Sequence, residues 1–180
     1  MSYYRELKDF ILELRGSGFF LSPRDRWFLK FLEEEGYPVS IVKEGIRKFF
    51  LFYPPERRAK LPLFMSFGEI EKLKRHHTER VTSRKDWRER FKEKVNMAET
   101  VLGQELEKPN PRNVEEAEEF LQSLESLIAK RLWESLSKEE KAQIVSKFKV
   151  FKEREDLFKA MVKRELFKRA GLKSLSIFLD

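Results

Sequence analysis

FFLSPRDRWFLKFLEEEGYPVSIVKEGIRKFFLF, residues 19 to 52, reads as two short helices meeting at a sharp corner. Ser22 is a good N-cap, Pro23 suits the first helical position, and Asp25 sits where a carboxylate complements the positive end of the helix. Trp27, Phe28, Phe31 and Leu32 then recur as one apolar face. Gly36 stops this helix and Pro38 starts the next, whose Val42, Ile46, Phe49, Phe50 and Tyr53 form a second face. The tandem Pro54-Pro55 closes the pair, because the residue before a proline is pushed out of the helical region.

Outward from this corner the helical spacing continues. Tyr3, Leu7, Phe10, Ile11 and Leu14 predict a first helix ended by Gly16 and Gly18. After the corner, PPERRAKLPLFMSF is a basic, proline-punctuated loop, and Ser66 with Glu69 reads as a capping box opening a helix through Phe67, Ile70 and Leu73. Thr82 or Ser83 restarts the chain into a long helix carrying Trp87, Phe91, Val95, Ala98 and Leu102. Gly103 and EKPNPRN make the clearest break. Asn113 caps a helix striped by Val114, Ala117, Leu121, Leu124, Ile128 and Leu132. Ser137 to Glu140 is another capping box. It opens a stretch through Ile144, Phe148 and Phe151 to Leu157, Met161 and Leu166, either one helix or two broken near Asp156. Gly171 ends it, leaving an apolar tail from Leu172 to Leu179.

No stretch alternates as a strand does, and no hairpin dipeptide appears. The chain is therefore expected to be all-α, a multi-helix orthogonal bundle of about seven or eight helices. Two helical subdomains are expected, residues 1–103 and 113–180, joined by a linker at 104–112.

Hydrophobic residues make up 41% and aromatics 13%, enough for a packed core in 180 residues. Charged residues reach 38%, above the roughly 25% usual in soluble domains, which with zero Cys suggests a thermophilic source. Without Cys there is no disulfide, thiol nucleophile or thiolate metal site. No leader pattern opens the chain and no apolar run approaches ~20 residues, so a cytoplasmic protein off the membrane is expected.

The charge is blocky. Lys72 to Lys94 holds ten Lys or Arg against four acids, and Lys141 to Lys173 eleven against four; Met97 to Glu140 between them holds eleven acids against five. Set side by side, the basic blocks would form a strip that neutralises phosphates, with Lys72, Lys74, Arg75, Arg80, Arg84, Lys85 and Arg88 as its contacts. Facing the acidic helix instead, they would be quenched. Arg57, Arg58 and Lys60 form a second cluster, flanked by Tyr53 and Phe64, and basic groups interleaved with aromatics suit single strands. The competing reading puts both aromatics in the core.

His76-His77 cannot chelate as an i, i+4 pair would, and no third ligand accompanies Glu79. No phosphate-cradling glycine loop, nucleophile elbow or zinc-binding helix pair is present. The acids of Glu33 to Glu35 and Glu115 to Glu119 lie in runs typical of solvated helical faces. A non-enzymatic protein without cofactor is expected.

Leu21-Ser22-Pro23, an aromatic helix ending at Gly36, then Val42, Gly45 and Ile46, and a basic loop before Ile70, together resemble the DnaD-like domain of bacterial replication-restart and helicase-loading proteins. The resemblance covers residues 18–73, about a third of the chain. It implies a compact helical module that contacts DNA and replication proteins. No tryptophan follows Ile70 as that family has it; Lys74 stands there. Leu21 to Ile46 is also similar to a set of uncharacterised bacterial helical proteins, which implies no activity.

The leading expectation is thus a helical, replication-associated protein binding single- or double-stranded DNA through backbone phosphates. The alternative is an interaction adaptor that self-associates through its Phe-rich C-terminal helices and the Leu175 to Leu179 tail.

Overall fold

The computed structural model describes residues 2–82, 87–107 and 109–177, with only the backbone of 77–82. Among these residues there are nine α-helices and no strand: α1 (Tyr3–Arg15), α2 (Pro23–Glu34), α3 (Val39–Leu51), α4 (Pro55–Arg58), α5 (Phe67–Thr82), α6 (Trp87–Leu102), α7 (Val114–Glu134), α8 (Lys138–Lys147) and α9 (Glu155–Arg169). No described helix is long and apolar enough to cross a membrane. The all-α expectation holds. Between residues 137 and 171, where the sequence leaves one helix or two open, the chain forms two, a 3-10 turn at Lys149–Phe151 separating α8 from α9.

The chain divides into two compact units, residues 1–77 and 78–180. This is not the boundary expected at 104–112. The stripe of α6 is buried against that of α7, so Phe91, Val95 and Ala98 share one core with Ala117, Leu121, Leu124 and Ile128. The Pro-rich segment joins two packed helices of one unit.

In the first unit, Ser22 accepts from Asp25 N at 3.1 Å and Pro23 opens α2, as the sequence predicts. Asp25 goes further than a first-turn acid normally does. It is 3% exposed, and its Oδ2 receives Arg15 Nη1 from the end of α1 at 2.8 Å. Its Oδ1 accepts Leu63 N at 3.3 Å, while Arg15 Nη2 donates to Leu61 O at 3.0 Å. The Leu-Ser-Pro-x-Asp stretch therefore ties three segments together at one end of the unit.

The glycines of the corner are equally structural. Gly36 sits at φ 83°, the left-handed position that ends α2. A Cβ on Gly45 would stand 2.9 Å from the Ile70 backbone, so only glycine lets α3 meet α5 this closely. Phe67 fills the centre, its ring 6.3 Å from Phe28 edge-on and 6.1 Å from Phe31. Ser66 does not cap α5. It is buried in a 3-10 turn, Leu63–Ser66, and donates its hydroxyl to Leu63 O at 2.7 Å.

In the second unit the Ser137–Glu140 capping box is present in full. Glu118, expected on a solvated face of α7, is not on one, and Glu125 two turns on shares its burial. Glu118 and Glu125 are 7% and 5% exposed and hold the tail. Glu125 Oε1 accepts Leu175 N at 2.6 Å and Ser174 Oγ at 3.0 Å; Glu118 accepts Ser176 Oγ at 2.6 Å and Ile177 N at 3.0 Å. Lys163 Nζ reaches Glu125 Oε2 at 2.7 Å, and Lys94 Nζ donates to Ser174 O at 2.9 Å. An extended segment has no backbone partners of its own, and these carboxylates supply them. Leu175 and Ile177 thereby enter the α6–α7–α9 core. The tail expected to mediate self-association is, over its described residues 174–177, buried in its own chain; Phe148, Phe151 and Phe167 are buried likewise.

Candidate nucleic-acid interface

The cations named from the sequence divide by environment. Around α4, Arg57 and Lys60 are exposed. Arg58 is half-buried, its Nε shared between Phe50 O at 3.1 Å and Tyr53 O at 3.2 Å. It satisfies carbonyls left open at the end of α3, a structural duty. On α5, Lys72 is exposed and pairs with Glu69 at 3.1 Å. Lys74 lies 3.4 Å from Glu71 and 5.1 Å above the Tyr37 ring. Tyr37 donates its hydroxyl to Glu71; burial first, then that carboxylate, hold its ionisation well above the ordinary phenol range. The position where the DnaD-like pattern has tryptophan thus belongs to a tyrosine–glutamate–lysine cluster. Arg75 and His76 are exposed. The side chains of His77, Arg80, Arg84 and Lys85 lie outside the described residues. Arg88, in the second unit, is exposed and rests 4.5 Å over the Trp87 ring.

The cations of the expected strip are divided between the two units. Lys72 to His76 belong to the first unit and the 141–173 block to the second. Within that block, Lys147 and Arg169 share Glu165, Arg154 pairs with Asp156 and Lys159 with Glu155. Lys163 serves the buried Glu125. At Glu165 burial raises the carboxyl's pKa, but Lys147 and Arg169 outweigh it and the net displacement is downward. Among the described residues no group of three or more His, Cys, Asp or Glu is placed to hold a metal ion.

The two aromatics named beside Arg57 and Lys60 are not exposed. Phe64 is fully buried beneath the Arg24 guanidinium, 5.2 Å from its ring, and Tyr53 is half-buried on Phe49 at 5.3 Å. The most exposed rings among the described residues are Phe52 (78%), Phe19 (83%) and Phe20 (75%), the last with Lys8 Nζ 5.7 Å from its centroid; Leu51 is 64% exposed. Arg15, the last residue of α1, touches Asp25, Leu61 O and, at 5.8 Å, the Phe50 ring. So the α1–α2 loop with Phe19-Phe20 and the α3–α4 segment with Phe52 leave the same end of the unit. Residues 15–26 and 52–64 together carry Arg15, Arg24, Arg26, Arg57, Arg58 and Lys60 against Asp25 and Glu56.

These rings were legible. Phe19-Phe20 lie between the helix-stop Gly18 and the cap Ser22, off any helical face. Phe52 falls about 200° around α3 from buried Phe50.

Residues 2–86 match a family model described as "Uncharacterised protein", which spans the first unit and a few residues beyond. An uncharacterized protein of Aquifex aeolicus (strain VF5) is 39% identical over 182 residues, covering 96% of this chain and 98% of the Aquifex one. No solved structure matches. Neither match supports the DnaD-like resemblance. With that identity running through both units, the chain belongs to the family of this Aquifex protein, whose description is "Uncharacterised protein".

Proposed function

We propose that the protein is a non-enzymatic, sequence-independent nucleic-acid binder that takes single strands on the aromatic and basic end of its first unit. The observation that carries this is the run from exposed Phe52 to exposed Arg57 and Lys60; Phe19 and Phe20, with Phe52 the most exposed aromatics among the described residues, sit on the α1–α2 loop, where Lys8 Nζ lies 5.7 Å from the Phe20 ring. Exposed apolar surface rimmed by polar and charged groups marks interaction sites. Unpaired bases offer π-faces to the rings, and phosphates at strand spacing meet the cations. Duplex contact is disfavoured, since base faces are inaccessible in the stack. A replication role would be one use of such a surface and has no support beyond it.

Fluorescence anisotropy with a labelled oligothymidylate, at rising salt, tests the reading. Stacking is worth about 1–3 kcal/mol per base, so Phe52→Ala weakens binding roughly 5- to 150-fold. Arg57→Glu with Lys60→Glu flattens the salt dependence, each lost phosphate contact reducing the logarithmic slope by about 0.7. Absence of binding at low salt, or binding indifferent to all three substitutions, would sink the proposal and leave the exposed rings as a protein-docking surface.

A further inference from the structure

In the second unit, the C-terminal tail displays the chemistry that its groove recognises. Glu118 and Glu125 stand seven residues, about two turns, apart on α7 and so face the same side of the helix. Each takes one serine-plus-apolar step of the tail. Glu125 Oε1 accepts the Ser174 hydroxyl at 3.0 Å and the Leu175 N–H at 2.6 Å. Glu118 accepts the Ser176 hydroxyl at 2.6 Å and the Ile177 N–H at 3.0 Å. The segment therefore runs antiparallel to α7, its two-residue repeat read by carboxylates two turns apart. Residues i and i+2 of an extended segment share a side, and Leu175 and Ile177 enter the core together, 3% and 0% exposed, with Phe91, Leu121 and Phe167. Lys94 of α6 edges the groove by donating to Ser174 O at 2.9 Å, and Lys163 of α9 by reaching Glu125 Oε2 at 2.7 Å.

This grip does not require tail and groove to share a chain. The tail's bonds to Glu118, Glu125 and Lys94 run to side chains 49 to 80 residues away. Its tether is short and open: α9 stops at the exposed, left-handed Gly171 (φ 71°), and two residues lead on to Ser174. Turning the tail about that point breaks no helix. Vacating the groove is another matter, since two carboxylates only 7% and 5% exposed would lose their donors. A departing tail is best replaced by a segment with the same donors, and a second copy carries that segment.

We propose that the groove over α7 is a docking site for an extended Ser-apolar-Ser-apolar segment, and that it takes in trans the tail of a second copy of this chain. Contacts are the same before and after exchange. The balance is set by protein concentration against the effective concentration of the tethered tail, on the order of mM for a short link. Self-association by this route needs no exposed apolar surface, because residues 174–177 are buried in either arrangement.

The full chain carrying Leu175→Asp with Ile177→Asp keeps the groove and spoils the tail. Titrated with a fluorescent synthetic peptide of residues 172–180, it is expected to bind saturably, one peptide per chain, circular dichroism confirming that the helices are intact. Replacing both peptide serines by alanine weakens binding at least about tenfold, since each forms a hydrogen bond to a charged acceptor. Glu118→Gln with Glu125→Gln in the same chain does likewise. For the unaltered protein, light scattering over a concentration series, after brief exposure to urea below the midpoint, shows a dimer that grows with concentration and that Leu175→Asp/Ile177→Asp abolishes. No peptide binding by the folded, doubly substituted chain, or binding indifferent to the serines, overturns the docking site. A strict monomer up to about 1 mM, or a dimer that survives the tail substitutions, overturns exchange between copies. If the doubly substituted chain does not fold, the unaltered chain decides: labelled and unlabelled copies must form mixed dimers that excess peptide dissolves, and failure of either step overturns the proposal. None of these residues belongs to the first unit, so this proposal and the strand-binding one can fail separately.

Discussion

Both units bury carboxylates, but they surround them differently. Asp25 of the first unit faces a guanidinium that is itself buried, with side-chain exposures of 4% and 9%. Glu125 of the second faces a lysine whose side chain is 34% exposed, and its other oxygen takes a serine hydroxyl and a backbone N–H from the tail. In the first case, removing either partner strands the other charge away from water. In the second, Lys163 can turn to solvent, and what is lost is the grip on residues 174–177. A buried ion pair welds an end of a helical unit together, whereas a carboxylate with backbone donors pins an extended segment that has no sheet to join.

The contrast is most sharply broken at Asp25. Removing one partner of a buried pair costs about 3–5 kcal/mol, so Asp25→Ala should be the most damaging substitution, visible as a large loss in urea midpoint. Arg15→Met should approach the same cost. Amide exchange should rise at the end of α1, the start of α2 and around Leu63, where the bonds converge. A loss under 1 kcal/mol would show that water reaches the pair, and the distinction between the two units would disappear.

Glu125→Gln should cost less, about 1.5–3 kcal/mol, the value of hydrogen bonds to a charged group. Its signature is position: exchange should increase at Leu175 and Ser176 before it does so at α7. Truncation after Lys173 should expose the same part of the α6–α7–α9 core. If Glu125→Gln leaves tail exchange untouched, Leu175 and Ile177 are held by packing alone.

Gly45→Ala should cost about 1–3 kcal/mol through overpacking, because the added methyl meets the Ile70 main chain, which cannot rotate away as a side chain would. The same region carries a pH dependence. The raised ionisation of Tyr37 favours the folded state below the phenol's ordinary range near 10, and this contribution is lost as pH climbs from there toward the folded value. Tyr37→Phe should therefore flatten the fall in urea midpoint at alkaline pH. An unchanged slope would assign that fall to other groups.

Much of the fold was legible because each signal was local. Ser22 and Pro23, Gly36, the stripe of α7 and the Ser137 capping box each act within one or two turns, and a sequence prints such patterns side by side. What depends on distant residues was not legible. Asp25 read as a helix-end acid because Arg15 and Leu63, 10 and 38 residues away, are joined to it only by folding. Glu118 read as solvated because the donors that bury it lie 58 and 59 residues on. The unit boundary was misplaced for a related reason: the composition break at 107–113 marks a turn, while the partition follows which stripes face each other. Of the named cations, Arg58, Lys72 and Lys74 turned out to be engaged within the protein, and a count of charges carries no record of partners.

The smallest expected effect on stability belongs to Phe52, and it separates surface from core most cleanly. Phe50 in the last turn of α3 and Phe52 just past its end stand two positions apart, one fully buried and the other 78% exposed. Phe50→Ala leaves a cavity and should cost about 3–5 kcal/mol, whereas Phe52→Ser should shift stability by no more than about 0.5 kcal/mol. Natural cores keep their aromatics for packing, so an exposed phenylalanine whose loss is neutral to folding needs another reason to be there. Paired measurement of urea midpoint and oligothymidylate affinity on Phe52→Ser tests for one. Unchanged stability with weakened binding places the role of Phe52 in recognition. A stability loss comparable to that of Phe50→Ala would mean that the ring is covered in solution, and the exposed aromatic end would no longer be available to a strand.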